Sequence, residues 1–434
     1  MMDEPTVQKS LIPRLPPEII GQILRFFSND REALLNYALV SQDWLFESRP
    51  FLFRNINILD RDPGNLFVSD VLHSERLRPW LTSIHHLSFG FMGTPNEESF
   101  ILDISEHLSN LRTMKWGSFS PLENGYPLRA EVFPALGKFA HLHHLEIVDC
   151  RFASFKDLKK VIVAFPSLTS LSLTEVAWNY SAEPDELSSG LPSTHIWPTM
   201  LSKLSLSTPY HGSQEAIDHV LQWLSATPTR HLLKELSFDL CNIAAALRLI
   251  ADTSLTVLGI QMDDDDQLLD DNAPVAQLQR VISQVRHIDL LRLAVILDSW
   301  QGVAVILRLF GSISSIHRLR LCCSSGSYLP YHYCVPEFDD ASAQQLETVL
   351  LAPSEEANAF RTLRAVEFAW HFETSNDGTL EEQYYLFSWW MERVLPRLRE
   401  RYTVELYTYN DASVFGPMGL SEHAGGAEFP HAEK

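Results

Sequence analysis

The residue types that most often do chemistry are plentiful in this chain but scattered. There are 17 histidines and 5 cysteines in 434 residues. Adjacent histidines stand at His85-His86 and His143-His144. Successive residues of a strand point to opposite faces, so such a pair makes a poor metal clamp. Cys322, Cys323, His332 and Cys334 lie close together, but their spacing fits no tetrahedral zinc pattern. The densest acidic run is Asp263–Asp266 with Asp270 and Asp271. It lacks the alternating ligands and turn glycine of a calcium loop, and a solvated loop accounts for it. No GxSxG, GxxxxGK[ST], HExxH or GxGxxG is present. These residues predict no metal, no cofactor and no catalytic centre.

Charge and composition narrow the class further. The chain has 55 acidic residues against 34 Lys+Arg, a formal net charge of −21. That field opposes generic binding to nucleic acid or to an anionic membrane. An odd number of cysteines with no CxxC pair suits reduced thiols, hence a cytoplasmic or nuclear location. The first residues, MMDEPTVQKS, carry no secretory signal. The most apolar long stretch, Leu290 to Phe310, contains Arg292, Asp298 and Arg308 and reads as buried soluble structure. A chain of 434 residues exceeds one ordinary core, so several units or a repeat array are expected.

The elements that would position functional residues begin near residue 11. Pro16 and Pro17 suit a first helical turn, and Glu18 favours its positive end. Ile19, Ile20, Ile23, Leu24 and Phe27 then recur at helical spacing. Ser28-Asn29-Asp30 offers caps for a second helix, whose stripe is Leu34, Leu35, Ala38 and Leu39. Ser41 caps a third, carrying Trp44, Leu45 and Phe46, which Arg49-Pro50 should end. A unit of about 45 residues buries little surface by itself and needs a partner.

LPPEIIGQIL followed by LNYALVSQDW resembles the F-box. Leu15, Pro16, Glu18, Ile19, Ile23, Leu24, Leu39, Val40 and Trp44 match its pattern. The small or basic residues usual around the second block are replaced here by Tyr37-Ala38 and Gln42-Asp43. The resemblance covers roughly a tenth of the chain. It implies that these nine residues bind a Skp-family adaptor, and through it a cullin-RING ubiquitin ligase.

Downstream, a phrase of apolar, two polar, apolar, polar, apolar recurs. It starts at Phe53, Ile84, Leu111, Leu142, Leu168, Leu201, Leu233, Val285 and Ile316, with looser copies at Leu255 and Leu363. A period near 30 residues means stacked repeats. Cys150 and Cys241 follow their phrases at the place where a leucine-rich repeat carries Asn or Cys, so the array resembles an irregular leucine-rich repeat. That resemblance implies a side chain hydrogen-bonded to the turn backbone. Helix-like pieces at Phe155–Val163, Ala216–Leu224, Ala244–Ile250, Val275–Ile282 and Val303–Phe310 lie between strands. Such units stack into a horseshoe with strands inside. Residues 179–198 and 322–345 read as insertions, Tyr384–Leu398 as a helix and Thr403–Tyr409 as a last strand.

The expected fold is therefore α/β: an F-box at 11–56, a leucine-rich-repeat-like solenoid at 57–410 and a disordered tail at 411–434. The polar places of the phrase would line the concave face. From Ile84 to Arg320 its second, third and fifth places hold seven Lys/Arg and three acids. The two strictly outward places alone leave only four Lys/Arg against three acids. The readings are therefore a random scatter of charge or a mildly basic face, with Lys115, His144, Lys203, Lys234, Arg318 and Arg320 as candidate contacts to an unknown protein substrate. The function implied is substrate recognition for a Skp–cullin–F-box ligase, not an enzyme. A scaffold outside a ligase is the alternative, and a hydrolase with a site in the 322–345 insertion is the third reading.

Overall fold

The computed structural model describes residues 15–58, 61–90, 96–117, 128–178, 200–207, 214–250, 253–262, 282, 285, 287–296, 300–310, 315–324, 340–351, 358–371 and 396–409. The acidic run at 263–271, His332, Cys334, most of both insertions and the 411–434 tail lie outside these residues.

Three helices come first: α1 (Pro17–Phe26), α2 (Arg31–Ala38) and α3 (Gln42–Leu52). Proline opens α1 because the first turn leaves its nitrogen without an intrahelical acceptor anyway. The Pro16 carbonyl accepts from the Ile19 and Ile20 amides at 3.0 and 3.1 Å. Asp30 caps α2, its Oδ1 accepting the Ala33 N–H at 2.9 Å, and Ser41 caps α3 from Trp44 at 3.4 Å. The expected stop at Arg49-Pro50 does not occur: α3 runs to Leu52 with Pro50 inside it. Proline removes a single ladder bond there. Phe51 and Leu52 gain packing against the small core of Ile20, Leu24 and Leu34, which offsets it.

The strands are β1 (Asn55–Ile58), β2 (His86–Gly90), β3 (Thr113–Gly117), β4 (His144–Val148), β5 (Arg151–Phe152), β6 (Ser170–Thr174) and β7 (Ala177–Trp178). They continue as β8 (Lys203–Ser207), β9 (Glu235–Asp239), β10 (Val257–Met262), β11 (Ile288–Ile296), β12 (Ile316–Ser324), β13 (Ala365–His371) and β14 (Thr403–Tyr409). All but β5 and β7 form one 12-stranded sheet in chain order, and β5 pairs with β7 beside it. Every lateral pairing is parallel. Parallel neighbours require a crossover between them. Here the crossovers carry helices such as α4 (Arg61–Leu66), α5 (Arg78–Leu81), α6 (Asn96–Ser105), α7 (Val132–Leu136), α8 (Phe155–Val163) and α9 (Gln214–Ser225). They continue with α10 (Ile243–Ile250), α11 (Trp300–Phe310), α12 (Asp340–Leu351) and α13 (Pro396–Arg401). The chain is thus an α/β repeat array with a large parallel sheet. The expected boundary at residue 56 falls inside β1, which belongs to the array's sheet.

The phrase seen in the sequence has a physical basis. Its first, fourth and sixth residues, such as Leu142, Leu145 and Ile147, are buried against helix residues such as Leu158, Val161 and Ile162. That core is continuous from Ile58 to Tyr402. The carbonyl of the second residue accepts two amides from the next strand: Arg54 O takes His85 and His86, and His85 O takes Arg112 and Thr113, at 2.8–3.0 Å. The same fork recurs at Arg112, His143, Thr169, Ser202, Lys234 and Thr256. It sets the rim of the sheet at the entry to each strand.

One phrase is displaced. Val257 pairs with Leu290 and Leu258 with Leu291, so the true copy in β11 begins at Ile288, three residues after Val285. Two apolar runs overlap there, and only lateral pairing selects the one that buries Leu291 and Leu293. The Cys150 expectation holds: its Sγ lies 3.3 Å from Val148 O and 3.7 Å from Trp116 O, and it donates to the turn backbone. Of Cys241 only the backbone is described.

Candidate functional site

Two surfaces carry the residues singled out by the sequence. The first is the N-terminal helical unit. Among the described residues its buried apolar cluster is Ile20, Leu24 and Leu34. Leu15, Pro16, Glu18 and Ile19 are exposed at the start of α1, and Leu39 and Val40 are exposed after α2. Leu39 keeps 85% of its surface. Two residues missed by the sequence reading widen this apolar face: Phe26, 87% exposed, and Leu35. Leu35 belongs to the second helix's stripe and Phe26 stands beside Phe27 at the end of the first, but pattern alone does not say which residue turns outward.

Leu24 is a correction. It is fully buried, so it props the face from behind and touches no partner. Ile23 is half-buried. Trp44 is also half-buried and stacks on Tyr37, with ring centroids 5.2 Å apart, while Tyr37 meets Phe27 at 5.1 Å. Its role is to hold α3 against α2. On the far side of α3, Phe46 packs edge-on against Trp80 at 4.8 Å and Arg49 lies over the same ring. These contacts fix the unit to the start of the array.

The second surface is the open face of the sheet, built from the third and fifth places of each phrase. The expectation of a basic face fails here, because lateral register sets cation beside acid. Lys115 meets Glu146 at 2.6 Å as an ion pair without hydrogen-bond alignment. Lys203 meets Glu235 at 2.8 Å. Arg320 meets Glu367 at 2.5 Å, and Arg318 lies 3.2 Å from Asp289 and 3.8 Å from Glu367. Arg320 and Glu367 are both buried. Of the six candidate contacts, Lys234 alone is an exposed cation with no acid against it among the described residues.

His144 Nδ1 stands 2.8 Å from Ser170 Oγ. Burial pushes its pKa down to about 4, helped by His86, Lys203 and Lys115. A base that weak holds almost no proton at neutral pH and draws one from a serine poorly. Among the described residues no carboxylate hydrogen-bonds its ring. The pair is therefore a packed polar contact rather than an activated nucleophile. Among the described residues, no three His, Cys, Asp or Glu side chains gather as a metal site. Among them, too, no helix is long and apolar enough to cross a membrane.

No family model matches the chain, and no curated protein matches it. Among solved structures it is similar to a chain in the crystal structure of the Rad7 and Elc1 complex in yeast. That likeness has 13% identity and a TM-score of 0.36, covering 85% of this chain and 86% of that one. It is also similar to a protein of Bacteroides fragilis, at 12% identity and a TM-score of 0.30, over 62% of this chain and 69% of that one.

Proposed function

We propose that this chain is a substrate-recognition adaptor of a Skp–cullin–F-box ubiquitin ligase. Its helical unit docks a Skp-family adaptor and its repeat array holds a protein substrate. The observation that carries this reading is the exposure of Leu15, Pro16 and Ile19 at the start of α1 and of Leu39 and Val40 after α2, on a unit whose sequence resembles the F-box pattern. Several large apolar side chains left exposed on one small unit support an interaction site there. The chain itself transfers nothing; ubiquitin chemistry belongs to the other ligase components.

Co-purification of the wild-type chain beside a Leu15/Pro16/Ile19→Ala triple variant tests this. The expected result is loss of the Skp-family adaptor with other partners retained. Adaptor binding that survives the three substitutions overturns the reading. Recovery of the adaptor without a cullin would place the chain in a scaffold outside a ligase.

A further inference from the structure

The charges of the open face are largely settled internally, but those of the rim are not. The rim is the row of second-place residues at the entry to successive strands. Over the first four strands it reads Arg54, His85, Arg112 and His143, in that lateral order. Arg54, Arg112 and His143 are exposed and His85 is half-buried. Among the described residues neither arginine has an ion pair, and no acid occupies this row until Asp289. The residues just before the phrases, Ser83, Asn110, His141 and Ser167, add no acid. In a chain of net charge −21, the row sets two arginines with no acid between them.

The groups lie close enough to feel one another. His85 is held below its usual pKa by burial and by Arg112 and Arg54. His86 is lowered by burial, Arg54, His85 and Arg112. No carboxylate contributes at either ring. Two guanidinium groups flanking neutral imidazoles provide many donors and no acceptor charge, which is the chemistry of an anion site.

We infer that this rim binds an anionic segment of an extended polypeptide, with two carboxylate or phosphate groups about three residues apart. The spacing follows from the strands. Arg54 and Arg112 sit two strands apart, about 10 Å at the usual sheet spacing. An extended peptide covers about 10 Å in three residues. A polypeptide fits better than nucleic acid, because the two cations stand only about 10 Å apart at that spacing and the rest of the chain repels a long polyanion. The inference deepens the adaptor reading, on which it rests for the polypeptide nature of its ligand. It places substrate capture two residues beyond the end of α3, beside the docking unit.

The test is fluorescence anisotropy with the full chain and labelled eleven-residue peptides bearing two phosphoserines three residues apart. Controls carry the same peptide without phosphate, with adjacent phosphoserines, or replaced by a single-stranded oligonucleotide. The expected result is binding of the spaced phosphopeptide, at least tenfold weaker in R54E/R112E and changed less than twofold in Lys115→Ala/Lys203→Ala. Both arginines are exposed, so R54E/R112E should fold, and a melting curve matched to wild type checks that. Equal binding by R54E/R112E, an equal loss from the lysine variant, or tighter binding of the oligonucleotide overturns the inference. So does inorganic phosphate competing as well as the peptide, since that marks a simple phosphate site. Adaptor capture by R54E/R112E, measured alongside, separates the two ideas. If wild type fails to capture the adaptor yet binds the peptide through these arginines, the adaptor reading falls and the anion site stands.

Discussion

The helical unit rests on a small apolar cluster of Ile20, Leu24 and Leu34, whereas the array's core runs unbroken from Ile58 to Tyr402. The unit leaves Phe26, Leu35, Leu39 and Val40 in water. The array covers its apolar positions strand after strand and pairs the charges of its open face across adjacent strands. The contrast shows that apolar surface and unpaired charge lie where the chain has not satisfied itself. In the helical unit that is the outer side of α1 and α2 and the residues just after α2; in the array it is the rim, not the face.

Three changes sharpen this comparison, and the largest effects belong to the array. Glu367 is buried and is the counter-ion of Arg320 and Arg318. Removing one partner of a buried pair costs roughly 3–5 kcal/mol, so Glu367→Ala should lose about that much in chemical denaturation. A loss below about 1 kcal/mol would mean that the pairing contributes only what an exposed surface pair does.

The next concerns pH. His144 takes a proton near 6.5 when unfolded and only near 4 when folded. The unfolded chain therefore binds more protons between these values. Stability from this site is complete above pH 6.5 and is lost as pH falls toward 4, by at most about 3 kcal/mol. Denaturation at pH 7 and pH 5 reads the slope, and His144→Gln should flatten it.

The smallest effect belongs to the helical unit. Asp30→Ala removes the cap on the Ala33 amide and should destabilise by about 1 kcal/mol. Hydrogen exchange should show the loss in residues 31–38, with the array's amides unmoved. Exchange rising equally through the array would show that the two regions open together.

Much of the fold was legible in the sequence because its signals are local. Phe155–Val163 forms α8 over the expected residues, and Val303–Phe310 lies within α11. The strand phrases at Ile84, Leu111, Leu142, Leu168, Leu201 and Leu233 each deliver a strand to one sheet. The site was less legible. Lys115, Lys203 and Arg320 look like free cations along the chain, because the acids that meet them come a whole repeat later. Leu24 belongs to the matching pattern as much as Ile19 does, yet only one of them faces water.

The sequence by itself determined helix starts, caps, strand phrases and the Cys150 turn. Each depends on interactions within a few residues, which fixed spacing encodes. Only the tertiary structure decided the register of β11, the burial of Leu24 and the neutralisation of the open face. Those depend on which residues meet across neighbouring strands or helices, and loops of variable length separate such partners in the chain. The same lateral order brings Arg54, His85, Arg112 and His143 into one row.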